Sequence, residues 1–128
     1  MRILLDTDLL LWAAAASGRL PAQARAAIVK SENELIFSTA SLWEVAIKHS
    51  LGRRDFRADP RVLRRGLLEN GYTELPITGA HAVAVASLPP LHRDPFDRML
   101  IAQAISEGIS LMTSDPKLAQ YPGPIQKV

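Results

Sequence analysis

The sequence predicts an α/β domain with a mainly parallel central sheet of four to five strands, and three observations carry that prediction. Short β-like apolar runs alternate with helical stretches along the chain, the pattern of α/β architecture. Three of these runs end at a polar or acidic residue. Ile3-Leu4-Leu5 meets Asp6, Leu35-Ile36-Phe37 meets Ser38, and the run from Ile109 to Met112 meets Thr113-Ser114-Asp115. Finally, 128 residues that are 48% hydrophobic suit one compact domain, residues 1–128, and are too few for two.

Taken in order, strands are expected at 2–6, 34–37, 72–76, 109–113 and 125–127, with helices filling the gaps. Leu and Ala content makes 9–16 helical, and Pro21 suits the first turn of a second helix reaching about residue 31, the two forming a helical hairpin. A third helix, 41–50, is ended by Gly52; a fourth, 60–69, by Asn70-Gly71. Pro89-Pro90 stops a fifth at 79–87, and Gly108 ends a sixth at 95–107. There is no internal repeat, and the linker-like piece 88–92 is too short to divide domains.

Composition removes several function classes. No stretch approaches the roughly 20 apolar residues of a membrane helix, and Asp6 and Asp8 interrupt the apolar start, spoiling it as a signal-peptide core. No membrane partner is expected, and the expected location is cytoplasmic. Zero cysteines exclude disulfides, thiolate zinc sites and cysteine nucleophiles. The net charge of +2 is uneven: Lys48, Arg53, Arg54, Arg57, Arg61, Arg64 and Arg65 against Asp55 and Asp59 make segment 48–65 locally +5 and leave −3 elsewhere. Such a segment is either a solvated basic helix or a face for an anionic partner.

If the apolar runs are buried parallel strands, their carboxyl ends share one sheet edge, where open α/β folds place their sites. Asp6 stands at that edge; Asp6, Thr7 or Asp8 caps the following helix, yet one cap suffices and two acids exceed the need. Ser41-Leu42-Trp43-Glu44 has capping-box spacing, so Glu44 reads equally as a cap partner beside an apolar helix face. In Asp94-Pro95-Phe96-Asp97, capping explains Asp94 but explains Asp97 less well. Leu100, Ile101 and Ala104 follow Asp97 at i+3, i+4 and i+7 and make its face the buried one. Asp115-Pro116 both ends a strand and looks like a cap. Carboxylates gathered at one edge raise one another's pKa unless a cation compensates, and a set without thiols or a histidine pair suits a hard divalent ion such as magnesium. An acidic pocket beside a basic face suits phosphodiester chemistry.

Four segments of the chain resemble a known family: Leu4-Leu5-Asp6-Thr7, Ser41 to Lys48 (SLWEVAIK), His92 to Ala104 (HRDPFDRMLIAQA) and Thr113-Ser114-Asp115. Together they resemble the PIN-domain ribonucleases, specifically the VapC-like toxins of bacterial type II toxin-antitoxin systems. The resemblance spans nearly the whole chain and implies a PIN-like three-layer fold with helices around a parallel sheet. It further implies a magnesium- or manganese-dependent endoribonuclease acting on RNA, a cognate antitoxin and a homodimer. It assigns Asp6, Glu44, Asp97 and Asp115 to the acidic site, with Asp6, Asp97 and Asp115 as metal ligands, Thr113 nearby as a hydroxyl partner, and Asp94 as a helix cap. One departure is Asp8, which occupies the place where relatives commonly carry histidine.

Two other readings compete. Asp6-Thr7-Asp8 after an apolar strand fits the start of haloacid-dehalogenase-like phosphotransferases with Asp6 as nucleophile, although Leu10 and the lack of a suitable downstream lysine fit it poorly. A non-catalytic module could use segment 48–65 to bind nucleic acid or an acidic partner, mostly through phosphates because few aromatics accompany it. His49, His81 and His92 are scattered without a matching nucleophile and read as surface or capping residues. Trp12 and Trp43 read as core or interface.

Overall fold

The computed structural model describes residues 1–52 and 58–128; Arg53, Arg54, Asp55 and Arg57 of the basic segment lie outside the described residues. Five strands, β1 (Arg2–Leu5), β2 (Glu34–Ser38), β3 (Thr73–Leu75), β4 (Ser110–Thr113) and β5 (Ile125–Lys127), form one sheet in the order β3-β2-β1-β4-β5. Every pairing is parallel, with Leu4 opposite both Ile36 and Leu111. Among the described residues, six α-helices connect and flank the strands: α1 (Thr7–Ala14), α2 (Ala22–Val29), α3 (Thr39–Ser50), α4 (Pro60–Glu69), α5 (Gly79–Ala84) and α6 (Pro95–Glu107). No helix of the described residues is long and apolar enough to cross a membrane.

The central strands β1, β2 and β4 carry apolar residues on both faces because helices cover the middle of the sheet on both sides, whereas the edge strands β3 and β5 carry polar residues. Successive side chains point to opposite faces. Ile3, Leu5, Phe37 and Met112 therefore join one core with Leu9, Leu10, Ala24, Val45, Leu63 and Leu67 of the helices. Leu4, Ile36 and Leu111 join the other, with Leu100, Ile101 and Ala104 of α6. Each fully buried leucine or isoleucine contributes roughly 1.5–3 kcal/mol by leaving water, which is what fixes the strand register at the edge above.

The chain leaves β1 toward β2 on one side and later returns to place β4 on its other side. The strand order therefore reverses between β1 and β4, and a crevice opens beyond their carboxyl ends. Helix α6 is started by Asp94 with Pro95 in its first turn, and it is stopped by Gly108, whose φ of 65° is the left-handed conformation glycine adopts without strain.

Two expected helix starts are corrected. Helix α1 begins at Thr7, directly after its cap Asp6. Helix α3 begins at Thr39 and is capped by Ser38, whose hydroxyl accepts the Ala40 N–H, so Ser41 is not a cap and Glu44 is not a capping-box partner. The reason is that β2 runs straight into the helix without a loop. Smaller shifts occur in α2, where Pro21 stands just before the helix, and after Ala84, where the chain tightens into a 3₁₀ turn over Val85–Ser87.

Candidate active site at the carboxyl edge of the sheet

A pocket of about 250 Å³ opens at this switch point, lined by Asp6, Thr7, Asp8, Glu44, Lys48, His92, Asp94, Asp97, Asp115 and Leu118. All four acids expected at the edge therefore meet in one pocket, although they come from the junction of β1 and α1, from α3, from α6 and from the segment after β4. Two larger clefts lie elsewhere, the wider of about 810 Å³ between the α1–α2 turn and α4, but they lack this concentration of titratable groups.

Asp6 is buried, and both of its carboxylate oxygens are engaged. Oδ1 accepts the Leu9 N–H at 2.9 Å, the helix cap, and Oδ2 accepts the Thr113 hydroxyl at 2.5 Å. Capping and membership of the site are thus one arrangement rather than alternatives. Thr113 Oγ1 in turn accepts the Asp115 N–H at 3.0 Å, which fixes the turn that presents Asp115. Burial pushes the Asp6 carboxyl up from 3.8 to about 6, against the lowering effect of the Thr113 and Leu9 hydrogen bonds and with help from the charges of Asp8 and Asp115.

Asp94 accepts the N–H groups of Phe96 and Asp97 at 2.9 and 3.3 Å and is the cap that the sequence implied. Asp97 stands one turn above the fully buried Leu100 and Ile101. Its pKa is raised to about 8, first by desolvation and then by the neighbouring carboxylates Asp94, Glu44, Asp6 and Asp115. Burial and the crowding of carboxylates in the pocket without a cation thus favour the protonated form of Asp97.

Glu44 is buried in the middle of α3. One oxygen, Oε2, accepts the Lys48 ammonium at 2.9 Å from one turn along the helix; the other, Oε1, is buried and has no hydrogen-bond partner among the described residues. A buried carboxylate oxygen left without a donor is costly. A cation or a substrate proton in the pocket supplies what it lacks, so the residues present fit a divalent metal centre. Glu44 in turn raises the pKa of Lys48, chiefly through the hydrogen bond between them. Lys48, counted in the basic segment from the sequence, belongs to the pocket. Asp8 is exposed at its mouth and adds a further acid there.

His92 is the residue that sequence reasoning missed. Its Nε2 lies 3.2 Å from Asp97 Oδ2 and 3.8 Å from Asp115 Oδ2. The loop carrying it is held from outside the pocket. The His92 N–H donates to the Tyr121 hydroxyl at 2.8 Å, while Arg98 reaches the same hydroxyl at 3.1 Å and the carbonyls of Val85 and Pro89 at 3.2 and 3.0 Å. The sequence signals were its place at the start of the His92 to Ala104 segment and its position five residues before Asp97. The other two histidines do stay out of the site: His81 completes the Thr78 capping box of α5, and His49 is exposed. Trp12 packs half-buried against the first core, whereas Trp43 is exposed and meets Phe96 edge-on with centroids 5.1 Å apart.

Comparison with known proteins bears on the fold. The fold matches VapBC2 from Rickettsia felis, solved bound to a DNA fragment from its promoter, with a TM-score of 0.73 and 15% identity over 99% of this chain and 98% of that one. It matches DNA-bound VapBC from Salmonella typhimurium at 0.70 with 15% identity, and VapBC-1 from nontypeable Haemophilus influenzae at 0.65 with 18%; each comparison covers 99% of this chain and 98% of the other. No curated protein matches the chain in sequence. The PIN domain family matches residues 3–124. Nearly the whole chain, including every acid of the pocket, lies within that match, and the chain belongs to the PIN domain family.

Proposed function

We propose that the protein is a metal-dependent endoribonuclease of the VapC type, a cytoplasmic toxin held in check by an antitoxin. The observation that carries the reading is the set of four acids at the switch point, one of which, Glu44, keeps a buried oxygen without a donor. Membership of the PIN family and the likeness in fold to VapBC complexes support it.

In this reading Asp6, Asp97 and Asp115 hold magnesium or manganese. Such an ion, when bound, supplies Lewis-acid polarisation of a phosphate oxygen and acidifies water. The chain's own groups do the rest. Thr113 and the start of α1 lock the Asp6 carboxylate in one orientation. Glu44 Oε1 accepts a proton from the attacking water, while Lys48 holds Oε2 and keeps the carboxylate aligned. Asp97, whose pKa is raised by burial and the neighbouring acids, would hold the ion as a carboxylate, so metal affinity would rise with pH.

Trp43, Ile47 and Leu51 are exposed on successive turns of α3, an apolar stripe that supports association with a second copy. The deciding assay is incubation of the purified protein with structured RNAs, with and without magnesium or manganese. Wild type cleaves only with the ion, and folded Asp6→Asn and Asp97→Asn variants do not. Equal cleavage by wild type and both variants would sink the site, and salt-sensitive RNA binding without cleavage would leave a binding module in its place.

A further inference from the structure

Removing the four family acids from the pocket leaves an imidazole that they do not account for. His92 Nε2, Asp97 Oδ2 and Asp115 Oδ2 are drawn from a group whose donor atoms all lie within 4.8 Å of one another. Two donors bound to one ion at about 2.1 Å and at right angles stand about 3 Å apart. The separation of 3.2 Å between His92 and Asp97 is close to that value, and the 3.8 Å to Asp115 corresponds to a wider angle at the same ion. The ring is held at this spot by its backbone, through Tyr121, rather than by Asp97 alone. Glu44 supplies the independent sign that the pocket is made for a ligand, being more than nine-tenths buried with one oxygen unpartnered.

We propose that His92 is itself a ligand of the cation, so that the centre is a mixed nitrogen–oxygen site favouring divalent first-row transition ions over magnesium. This rests on the metal-dependent reading above. Imidazole nitrogen adds little for magnesium, a hard ion that prefers oxygen, and much for ions later in the transition series. Ligation through Nε2 requires the ring proton to sit on Nδ1, so Nδ1 ceases to accept from the Asp94 N–H and that contact is given up. The existing contact there is 3.5 Å, at the outer limit of a hydrogen bond, so the exchange gives up little.

The test uses cobalt and manganese as probes and reads binding rather than cleavage. Titration calorimetry on wild type and His92→Asn gives affinities for Co²⁺, Mn²⁺ and Mg²⁺, with circular dichroism confirming the fold. Loss of the imidazole lowers Co²⁺ affinity by roughly 10-fold or more, because imidazole is a preferred ligand of such ions, and leaves Mg²⁺ affinity nearly unchanged. Pulsed electron paramagnetic resonance of the Mn²⁺-loaded wild type shows coupling to a ligated nitrogen, a readout that needs no variant. Absence of that coupling, together with equal losses for all three ions, overturns the assignment and makes His92 a hydrogen-bond partner of Asp97. If the wild type binds no divalent cation, the metal-dependent reading itself falls, and this assignment with it.

Discussion

Asp6→Asn is expected to do two opposite things: abolish metal-dependent activity and make the metal-free protein more stable above about pH 6. The second effect follows from where the carboxylate sits. Burial raises its pKa from 3.8 in the unfolded chain to about 6 in the fold. Between these values the folded protein holds more protons than the unfolded one, so metal-free stability falls as pH rises through the window and stays lowered above it. A shift of roughly two units corresponds to about 3 kcal/mol at neutral pH. Asparagine is never charged, is as good a helix cap as aspartate, and its amide can donate to Thr113 Oγ1 in place of the bond that Oδ2 accepts. Allowing for imperfect replacement of that short bond, the variant gains about 1–3 kcal/mol at pH 7.5, or roughly 3–10 °C in melting temperature. Thermal melts in chelator at pH 4.5, 6 and 7.5 measure the difference, which grows with pH and shrinks when manganese is added because only wild type gains from the ion. A variant that is less stable than wild type by the same amount at every pH would refute the reasoning, since Asp6 would then be an architectural residue whose charge the fold already compensates.

Three further outcomes follow from the same geometry. Wild-type protein in chelator loses melting temperature between pH 5 and pH 8, because Asp97, raised to about 8, also binds a proton more tightly in the fold than in the unfolded chain; stabilisation by manganese grows over the same range, as calorimetric scans at each pH will show. Thr113→Val removes the donor to Asp6 and the acceptor of the Asp115 N–H, lowering stability by about 1.5–3 kcal/mol at pH 8 and by less at pH 4.5, where Asp6 is already protonated in the fold; an equal loss at both pH values contradicts a role tied to the Asp6 charge. Asp94→Ala strips the cap from α6 and lowers stability by about 1 kcal/mol, while Asp94→Asn restores most of it, as chemical denaturation will measure.

Strands β1, β2 and β4 were legible because a strand buried on both faces is a short apolar run, and Asp6, Thr113 and Asp115 were legible because those runs stop at them. The place of Glu44 was visible but its reason was not. Ser38 and Ser41 are both acceptable caps by composition, and only the direct passage of β2 into α3 decides for Ser38, a decision made by the sheet rather than by local preference. His92 and Lys48 were hidden for different reasons. His92 lies on a loop with no periodicity, and the groups that seat it, Tyr121 and Arg98, are distant in sequence or on the next helix. Lys48 was absorbed into a run of basic residues, although its position four after Glu44 on one helix was enough to pair them.

The hydrogen bond between Thr113 and Asp6 joins residues 107 positions apart. Closing so long a loop is entropically unfavourable until β1 and β4 pair, so such contacts are gained late in folding and do not persist in partly folded forms. Each molecule able to assemble the pocket has therefore paired β1 with β4. On the proposed function, half-folded copies are expected to be chemically silent rather than loosely active, and metal binding during refolding is expected to begin only once these strands have paired.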